Sequence, residues 1–246
     1  MKKYGLIGYP LSYSFSPGYF KTKFKREEIH NTSYKIYPLE EVKEFENLVN
    51  DEELIGLNVT IPYKEKILKY LDSIEESAKT IGAVNTLKRH GDTWKGFNTD
   101  VYGFRKSLKS FIGRKRVSAA LVLGTGGASK AVCYVLERLG IEAQLVSRRR
   151  SKTAMSYKDM DAHVLKEHRL IINTTPLGTS PNLDQMAPLN FDQVSKKHLL
   201  YDLVYNPEKT LFLKRGEALG CAIKNGSEML ELQAEESWRI WNNNKI

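Results

Sequence analysis

A glycine-rich turn is the first segment whose residue types and spacing could do chemistry. The turn 124–127, Gly-Thr-Gly-Gly, joins an apolar stretch at 119–123 to an amphipathic stretch at 128–139. Such a turn lets the backbone approach a pyrophosphate, and the following helix start offers free N–H groups and a positive dipole end. The strict G-x-G-x-x-G pattern fails because Ser129 stands at its third position, whereas G-x-G-G-x-x-x-A fits with Ala131. Glycine turns of this kind also occur without a ligand.

The next apolar stretch ends in a basic run. The predicted strand 143–146 leads directly into Ser147, Arg148, Arg149 and Arg150. A fold that binds NAD commonly has an acidic residue about 20 positions after the glycine turn, bonded to the ribose 2′-hydroxyl. That acid is absent here, and an arginine fork instead matches the oxygens of a 2′-phosphate. The run therefore favours NADP over NAD, with an exposed basic strand end as the alternative.

Small polar residues beside glycine or proline fill four short segments of the first hundred residues. These segments are 8–17, 58–65, 82–87 and 98–100. Three of them follow predicted strands, where the ligand sites of open α/β sheets are found, and Asn85 begins a strand. Their hydroxyls and amides, with Lys64 and Asp100, are sufficient to hold a polyhydroxylated acid. Turn formation and helix capping are the alternative explanation for any one segment.

Alternating strand and helix patterns must position these segments. The pattern starts again near residue 100, which predicts an α/β fold of two domains, 1–100 with a C-terminal helix 226–246, and 101–225. Strands are predicted at 4–7, 33–37, 55–60, 85–89, 93–97, 119–123, 143–146, 170–173, 199–202 and 221–223. Helices with an apolar stripe are predicted at 39–49 and 67–81, and further helices at 128–139 and 229–241. Another helix is predicted to begin with Ser16 as its N-cap and Pro17 as its first residue.

Composition restricts the classes of protein to consider. Hydrophobic residues make up 41% of the 246 residues, and no apolar run reaches the ~18 residues that a membrane helix needs. Gly8, Tyr9 and Pro10 interrupt the first apolar stretch too early for a signal peptide, so we expect a cytoplasmic protein. The net charge of +9 suits anionic small ligands; no nucleic-acid-binding motif accompanies the basic runs.

Eight motifs in order resemble those of the shikimate dehydrogenase family. They are S-x-S-P at 14–17, N-V-T-x-P-x-K at 58–64, A-V-N-T at 83–86, N-T-D at 98–100, G-x-G-G-A-S at 124–129, N-T-T-P-L-G at 173–178, D-L-V-Y at 202–205, and N-G at 225–226 before Gln233. The resemblance covers nearly the whole chain. It implies an N-terminal α/β substrate domain, a Rossmann-type NADP-binding domain, and a C-terminal helix that returns to the first domain.

The resemblance also implies an activity and its residues. The activity is reversible, NADPH-dependent reduction of 3-dehydroshikimate to shikimate, in chorismate and aromatic amino-acid biosynthesis. Lys64 and Asp100 are the implied catalytic pair. The implied substrate contacts are Ser14, Ser16, Thr60, Asn85, Tyr205 and Gln233. The implied NADP contacts are Gly124, Gly126, Gly127, Ala128, Ser147, Arg148, Arg149, Leu203 and Gly226. No metal, nucleic-acid or membrane partner is expected, and the protein is expected to be a monomer or a homodimer.

Some positions depart from the family pattern. Tyr13 stands where histidine is usual, Ser147 where asparagine is usual, Arg149 where threonine is usual, and Glu228 where glycine is usual. These departures affect the expected nucleotide contacts and leave the lysine–aspartate pair intact. One alternative is a quinate/shikimate dehydrogenase of broader substrate or cofactor range. Another, a catalytically inactive nucleotide-binding regulator, predicts loss of the lysine or the aspartate.

Overall fold

A computed structural model describes residues 1–11 and 14–243, and the chain divides into two compact α/β units. The first unit contains Met1–Tyr102 and Gln233–Ile246, and the second contains Gly103–Leu232. The predicted two-domain α/β fold is therefore confirmed. Within the described ranges, no helix is long and apolar enough to cross a membrane.

The first unit is built on a six-stranded mixed sheet. Its strands are β1 (Lys2–Gly8), β2 (Thr32–Pro38), β3 (Leu54–Val59), β4 (Ser73–Ile74), β5 (Thr86–His90) and β6 (Thr93–Phe97), in the order β2-β1-β3-β5-β6-β4. β1 is parallel to β2 and β3, whereas β5 is antiparallel to β3 and β6. The carboxyl ends of β1, β3 and β6 and the amino end of β5 therefore share one edge of the sheet.

The C-terminal helix, α8 (Ser227–Asn242), packs its second half on this sheet, as predicted. Ala234 and Trp241 join Tyr4 and Phe20 in a buried cluster. The Trp241 indole N–H donates to the Leu87 carbonyl over 2.9 Å. The indole ring of Trp241 lies so close to β3 that only glycine fits at position 56, because a Cβ on Gly56 would lie 2.3 Å from the indole nitrogen.

Helix α1 (Phe15–Arg26) begins earlier than predicted. Ser14, not Ser16, occupies the N-cap position, and its side chain forms no capping hydrogen bond. The prediction that Ser16 caps the helix is wrong. Pro17 is accepted in the first turn because the N–H groups there have no partner within the helix in any case.

The prediction of a single helix over 67–81 is also wrong. The structure has a 3₁₀ helix at Lys66–Tyr70, the short strand β4, and then α3 (Glu76–Ile81). The Asp72 carboxylate accepts the backbone N–H of Trp94 at 2.7 Å, which holds the chain extended beside β6. A new helix then starts where the Glu75 carboxylate accepts two backbone N–H groups. Side-chain bonds to the backbone thus override a helical apolar pattern.

The helix predicted over 39–49 is reduced to a 3₁₀ turn at Val42–Glu44 followed by α2 (Phe45–Leu48). The Tyr63 hydroxyl is shared between the carbonyls of Leu39 and Glu40, at 2.7 and 2.8 Å. Those carbonyls are therefore directed to a tyrosine from another segment instead of into a helix, and the helix starts later.

The second unit contains a parallel sheet and four helices, α4 (Asp100–Ile112), α5 (Gly127–Arg138), α6 (Ala162–Glu167) and α7 (Leu211–Ala218). The unit begins at Gly103, so the first three residues of α4 belong to the first unit. Its strands are β7 (Ala119–Leu123), β8 (Glu142–Ser147), β9 (Ala154–Ser156), β10 (Leu170–Asn173), β11 (Leu199–Asp202) and β12 (Ala222–Lys224). Their order is β12-β11-β10-β7-β8-β9, which is that of a dinucleotide-binding Rossmann sheet. The strand order reverses between β7 and β10, where such sheets bind ligands.

Candidate active site

The polar segments of the first unit meet at the shared edge of its sheet. Thr60 directly follows β3, and its backbone N–H donates to the Ile7 carbonyl of β1 over 2.9 Å. A Cβ on Gly8 would lie 2.5 Å from Thr60 Cγ2, so the end of β1 contacts the end of β3. Asn85 immediately precedes β5, and Asp100 begins α4 just after β6.

Lys64 and Asp100 form an ion pair at this edge. The distance from Lys64 Nζ to Asp100 Oδ2 is 2.7 Å, although the two residues are 36 positions apart in the chain. The side chains are 23% and 14% exposed, so a ligand can still reach both. The Lys64 carbonyl accepts the backbone N–H of Val84 at 2.8 Å, which fixes the lysine beside the chain entering β5. The aspartate lies at a helix N-terminus, where the dipole favours a negative charge.

Asn85 fixes the other oxygen of the aspartate. Its Nδ2 donates to Asp100 Oδ1 over 2.9 Å, and its Oδ1 accepts the Thr99 backbone N–H at 2.7 Å. Because a backbone N–H must meet the amide oxygen, the NH₂ group is directed to the carboxylate. Lys64, Asp100 and Asn85 therefore form one connected polar group.

The two predicted serines lie at the start of α1. Ser14 forms no capping bond, so its hydroxyl is not committed to the helix. Ser16 bonds to the phenol of Tyr34: burial raises the pKa of Tyr34, and the hydrogen bond from Ser16 opposes that rise. Tyr34 in turn donates to Asn58 Oδ1 over 2.8 Å. Tyr13, a departure from the family pattern, lies outside the described residues.

Gln233 of α8 connects to the same region. The Thr99 hydroxyl donates to Gln233 Oε1 over 3.4 Å, and Thr99 also contacts Asn85. The first unit thus brings together most of the residues implied for substrate and chemistry. Tyr34, Thr86, Thr99 and Ser237, which link them, were not among the predicted contacts. Thr86 and Thr99 belong to the motifs at 83–86 and 98–100, whereas Tyr34 and Ser237 lie outside the eight motifs.

The glycine turn of the second unit fits a dinucleotide pyrophosphate. Gly124 has φ +110°, and a Cβ there would lie 2.9 Å from Thr174 Oγ1, so only glycine suits the position. Gly126 is the N-cap of α5 and has no side chain to cap it; a Cβ there would meet nothing within 4 Å. The first N–H groups of α5 therefore have room for an anion. Ser129 donates to the Gly126 carbonyl over 2.6 Å, which explains a serine in the third position.

The three arginines of the basic run after β8 differ in their ion-pair contacts. Arg150 Nε lies 3.8 Å from Asp159 Oδ2. Over the described ranges, the guanidinium groups of Arg148 and Arg149 have no such partner, and both side chains are exposed. Arg148 lies near Tyr157: burial raises the pKa of Tyr157 to about 12, and the arginine charge opposes the rise. The Ser147 hydroxyl donates to the Arg149 carbonyl and shapes the turn.

A buried carboxylate organises the ends of β10 and β11, on one side of the switch point. Asp202 Oδ1 accepts Asn173 Nδ2 at 2.9 Å and the Val204 backbone N–H at 3.0 Å, and its Oδ2 accepts the Thr210 hydroxyl at 2.6 Å. Burial raises the pKa of Asp202 to about 6, against these three hydrogen bonds. The carboxylate thus holds the end of β10, the loop after β11 and the start of α7 in place.

The remaining implied cofactor residues lie beside this loop. A Cβ on Gly226 would lie 2.1 Å from the Leu203 carbonyl oxygen, so no larger residue fits there. Tyr205 is exposed at 36%. Glu228 pairs with Lys224 and accepts the Ser107 hydroxyl at 3.1 Å. The expected contacts of Tyr205 with substrate, and of Leu203 and Gly226 with nicotinamide, stay predictions.

Comparison with known proteins places the chain in a family. Residues 6–87 match the family model of the shikimate dehydrogenase substrate binding domain. A shikimate dehydrogenase (NADP(+)) from Methanococcus aeolicus is 36% identical, over 98% of this chain and 91% of that protein. A crystal structure of shikimate dehydrogenase from Aquifex aeolicus, 33% identical, superposes with a TM-score of 0.88 over 100% of this chain and 94% of the other. The structure of shikimate 5-dehydrogenase from Thermus thermophilus in complex with NADP(H) and shikimate is 28% identical to this chain. It superposes with a TM-score of 0.87 over 98% of this chain and 94% of the other. The chain belongs to the shikimate dehydrogenase family.

Proposed function

We propose that this chain is an NADP-dependent shikimate dehydrogenase, which reversibly reduces 3-dehydroshikimate to shikimate in chorismate and aromatic amino-acid biosynthesis. The observation that carries the proposal is the Lys64–Asp100 ion pair, bridged to Asn85. The activity printed for the M. aeolicus relative and the ligands of the T. thermophilus structure support it. The enzyme acts in the cytoplasm as a monomer or a homodimer.

The proposed chemistry concerns one proton. Oxidation of a secondary alcohol to a ketone releases the hydroxyl proton, which a protein group must accept. When bound, NADP accepts the hydride in this direction, and NADPH supplies it in the other. After its ammonium group has released a proton, the neutral Lys64 Nζ takes the proton from the substrate hydroxyl, and in the reverse direction the ammonium group returns it to the carbonyl oxygen. Asp100 orients the lysine and bonds the hydroxyl beside the reacting carbon.

The residues that hold the ligands are proposed from their positions. Ser14 and Ser16, with N–H groups of the first turn of α1, hold the substrate carboxylate. Thr60, Asn85, Gln233 and Tyr205 contact the rest of the substrate. Gly124, Gly126, Gly127 and Ala128 hold the pyrophosphate of NADP, Ser147, Arg148 and Arg149 hold its adenosine phosphate, and Leu203 and Gly226 border its nicotinamide.

Ser14→Ala is expected to weaken the affinity for shikimate while leaving that for NADP unchanged. The uncommitted Ser14 hydroxyl is well suited to donate to a carboxylate. One hydrogen bond to a charged group is worth about 1.5–3 kcal/mol, so the dissociation constant should rise by roughly 10- to 150-fold. Calorimetric titration measures it, and Thr22→Ala, which removes another hydroxyl of α1, is the control. An unchanged shikimate affinity with a lower melting temperature would make the serine structural.

Quinate is the alternative substrate, and NAD the alternative cofactor. Steady-state kcat/KM should be measured for the four combinations of shikimate or quinate with NADP or NAD. The proposal expects shikimate with NADP to give the highest value. A higher kcat/KM with quinate, or with NAD, would assign the chain to a quinate/shikimate dehydrogenase of broader range.

A further inference from the structure

A layer of buried hydroxyl and amide groups lies directly beneath the Lys64–Asp100 pair. Ser237, on α8, is completely buried within it. Its Oγ lies 2.8 Å from Thr86 Oγ1 and 3.2 Å from Thr99 Oγ1, and it accepts Asn58 Nδ2 at 3.0 Å. A buried hydroxyl costs free energy unless it is hydrogen-bonded, and an apolar residue would serve helix packing equally well. The Ser237 hydroxyl therefore joins α8 to three polar side chains, which an apolar residue could not do.

The direction of each hydrogen bond follows from counting donors. Ser237 has one proton, and the Gln233 carbonyl, four residues earlier in α8, is 2.9 Å away. With that proton used, Ser237 Oγ is the acceptor for Asn58 and Thr86. The Asn58 NH₂ group and the Thr86 hydroxyl then both have an acceptor in Ser237, and neither needs Thr99 as an acceptor.

The Thr99 hydroxyl is consequently left to the two amide oxygens of the site. It lies 3.1 Å from Asn85 Oδ1, which also accepts the Thr99 backbone N–H at 2.7 Å, and 3.4 Å from Gln233 Oε1. An amide whose oxygen is held in this way has its NH₂ group directed the other way. For Asn85, that direction is Asp100. The two amides implied for substrate binding are thus oriented from one side by the same hydroxyl cluster.

We propose that Ser237 is a positioning residue: it orients the amides of Asn85 and Gln233 for substrate through Thr86 and Thr99. The effect on substrate binding rests on the proposed function, whereas the effect on the two amides does not. Buried polar networks of this kind fix one arrangement only when every member is satisfied. Removing the hydroxyl should therefore loosen both amides and leave the direct contact between Lys64 and Asp100 in place.

The first test is kinetic. Ser237→Ala should raise KM for shikimate by about 2- to 12-fold, the effect of one ordinary hydrogen bond, and change kcat and KM for NADP less than twofold. The matched control is Thr80→Ala in α3, whose hydroxyl also bonds to the carbonyl four residues earlier but is exposed. In the double mutant with Gln233→Ala, the loss should be smaller than the product of the two single losses. A lower melting temperature with an unchanged KM for shikimate would overturn the proposal.

The second test does not depend on the substrate. In NMR spectra, the side-chain NH₂ resonances of Asn85 and Gln233 should shift or broaden in Ser237→Ala, and those of Gln144, in the second unit, should not. Unchanged resonances of Asn85 and Gln233 would overturn the positioning role. A wild-type protein that does not turn over shikimate, but whose variant shows the shifts, would refute the proposed function and leave the positioning role standing.

Discussion

Lys64→Ala and Asp100→Asn are each expected to lower the turnover of shikimate by about 10²–10⁴, the usual contribution of a positioned acid–base group. Because their charged groups are in contact at 2.7 Å, we expect the two residues to act as one unit. Both variants should stay folded and bind NADP, because the glycine turn and the basic run belong to the other unit. Steady-state kcat, circular dichroism and a fluorescence titration with NADPH measure these three properties.

Lys66→Ala is the matched control for the lysine, since Lys66 is a neighbouring exposed lysine. It should retain wild-type kcat. The double variant Lys64→Ala/Asp100→Asn should be little slower than the slower single variant, because groups that act together have non-additive effects. If Lys64→Ala retains near-normal kcat and loses only affinity for shikimate, the lysine is a binding residue and the acid–base assignment is wrong.

Arg148→Ala is expected to raise KM for NADP by roughly 10- to 150-fold and to leave KM for NAD nearly unchanged. A charge-assisted bond to a phosphate is worth about 1.5–3 kcal/mol. NAD has no 2′-phosphate, so its binding cannot be weakened by the loss of this bond. Arg149 is also exposed and has no ion-pair partner in the described ranges, so we expect it to share the phosphate and to bring the effect toward the lower end. Initial rates with each cofactor at saturating shikimate measure both constants.

Arg150→Ala tests whether position matters or only charge. Arg150 contacts Asp159 at 3.8 Å, so its loss should change KM for NADP much less than the loss of Arg148. Equal increases in KM for NADP and NAD in Arg148→Ala would rule out a 2′-phosphate role. Equal effects of the two substitutions would mean that the run contributes to NADP binding only through its net charge.

The parts of the fold that depend on local pattern could be predicted from the sequence. The central strands β7, β10 and β11 of the second unit are mainly apolar because they are buried on both faces, and they fall where predicted. The approach of Lys64 to Asp100 could be predicted only through the family resemblance. The mixed sheet explains it: an antiparallel β5 brings Asn85 to the edge where β3 and β6 end.

The parts that depend on distant contacts could not be predicted. Helix periodicity over 67–81 gave no sign that Asp72 bonds to the backbone of β6. The short elements β9, α6 and α7 were missed because each has too few residues to show a period. Ser237 looked like one polar residue in an amphipathic helix, and only its contacts with strands some 150 positions away give it a function.

The central claim is that this chain oxidises shikimate with NADP, and the most direct test is the stoichiometry of that reaction. Purified wild-type protein should be mixed with NADP and shikimate, with NADPH followed by absorbance and the ketone identified by mass spectrometry. We predict NADPH and 3-dehydroshikimate in equal amounts, and formation of both products about 10²–10⁴ times more slowly with Lys64→Ala. A folded wild-type protein that binds NADP and forms no NADPH from shikimate would contradict the account.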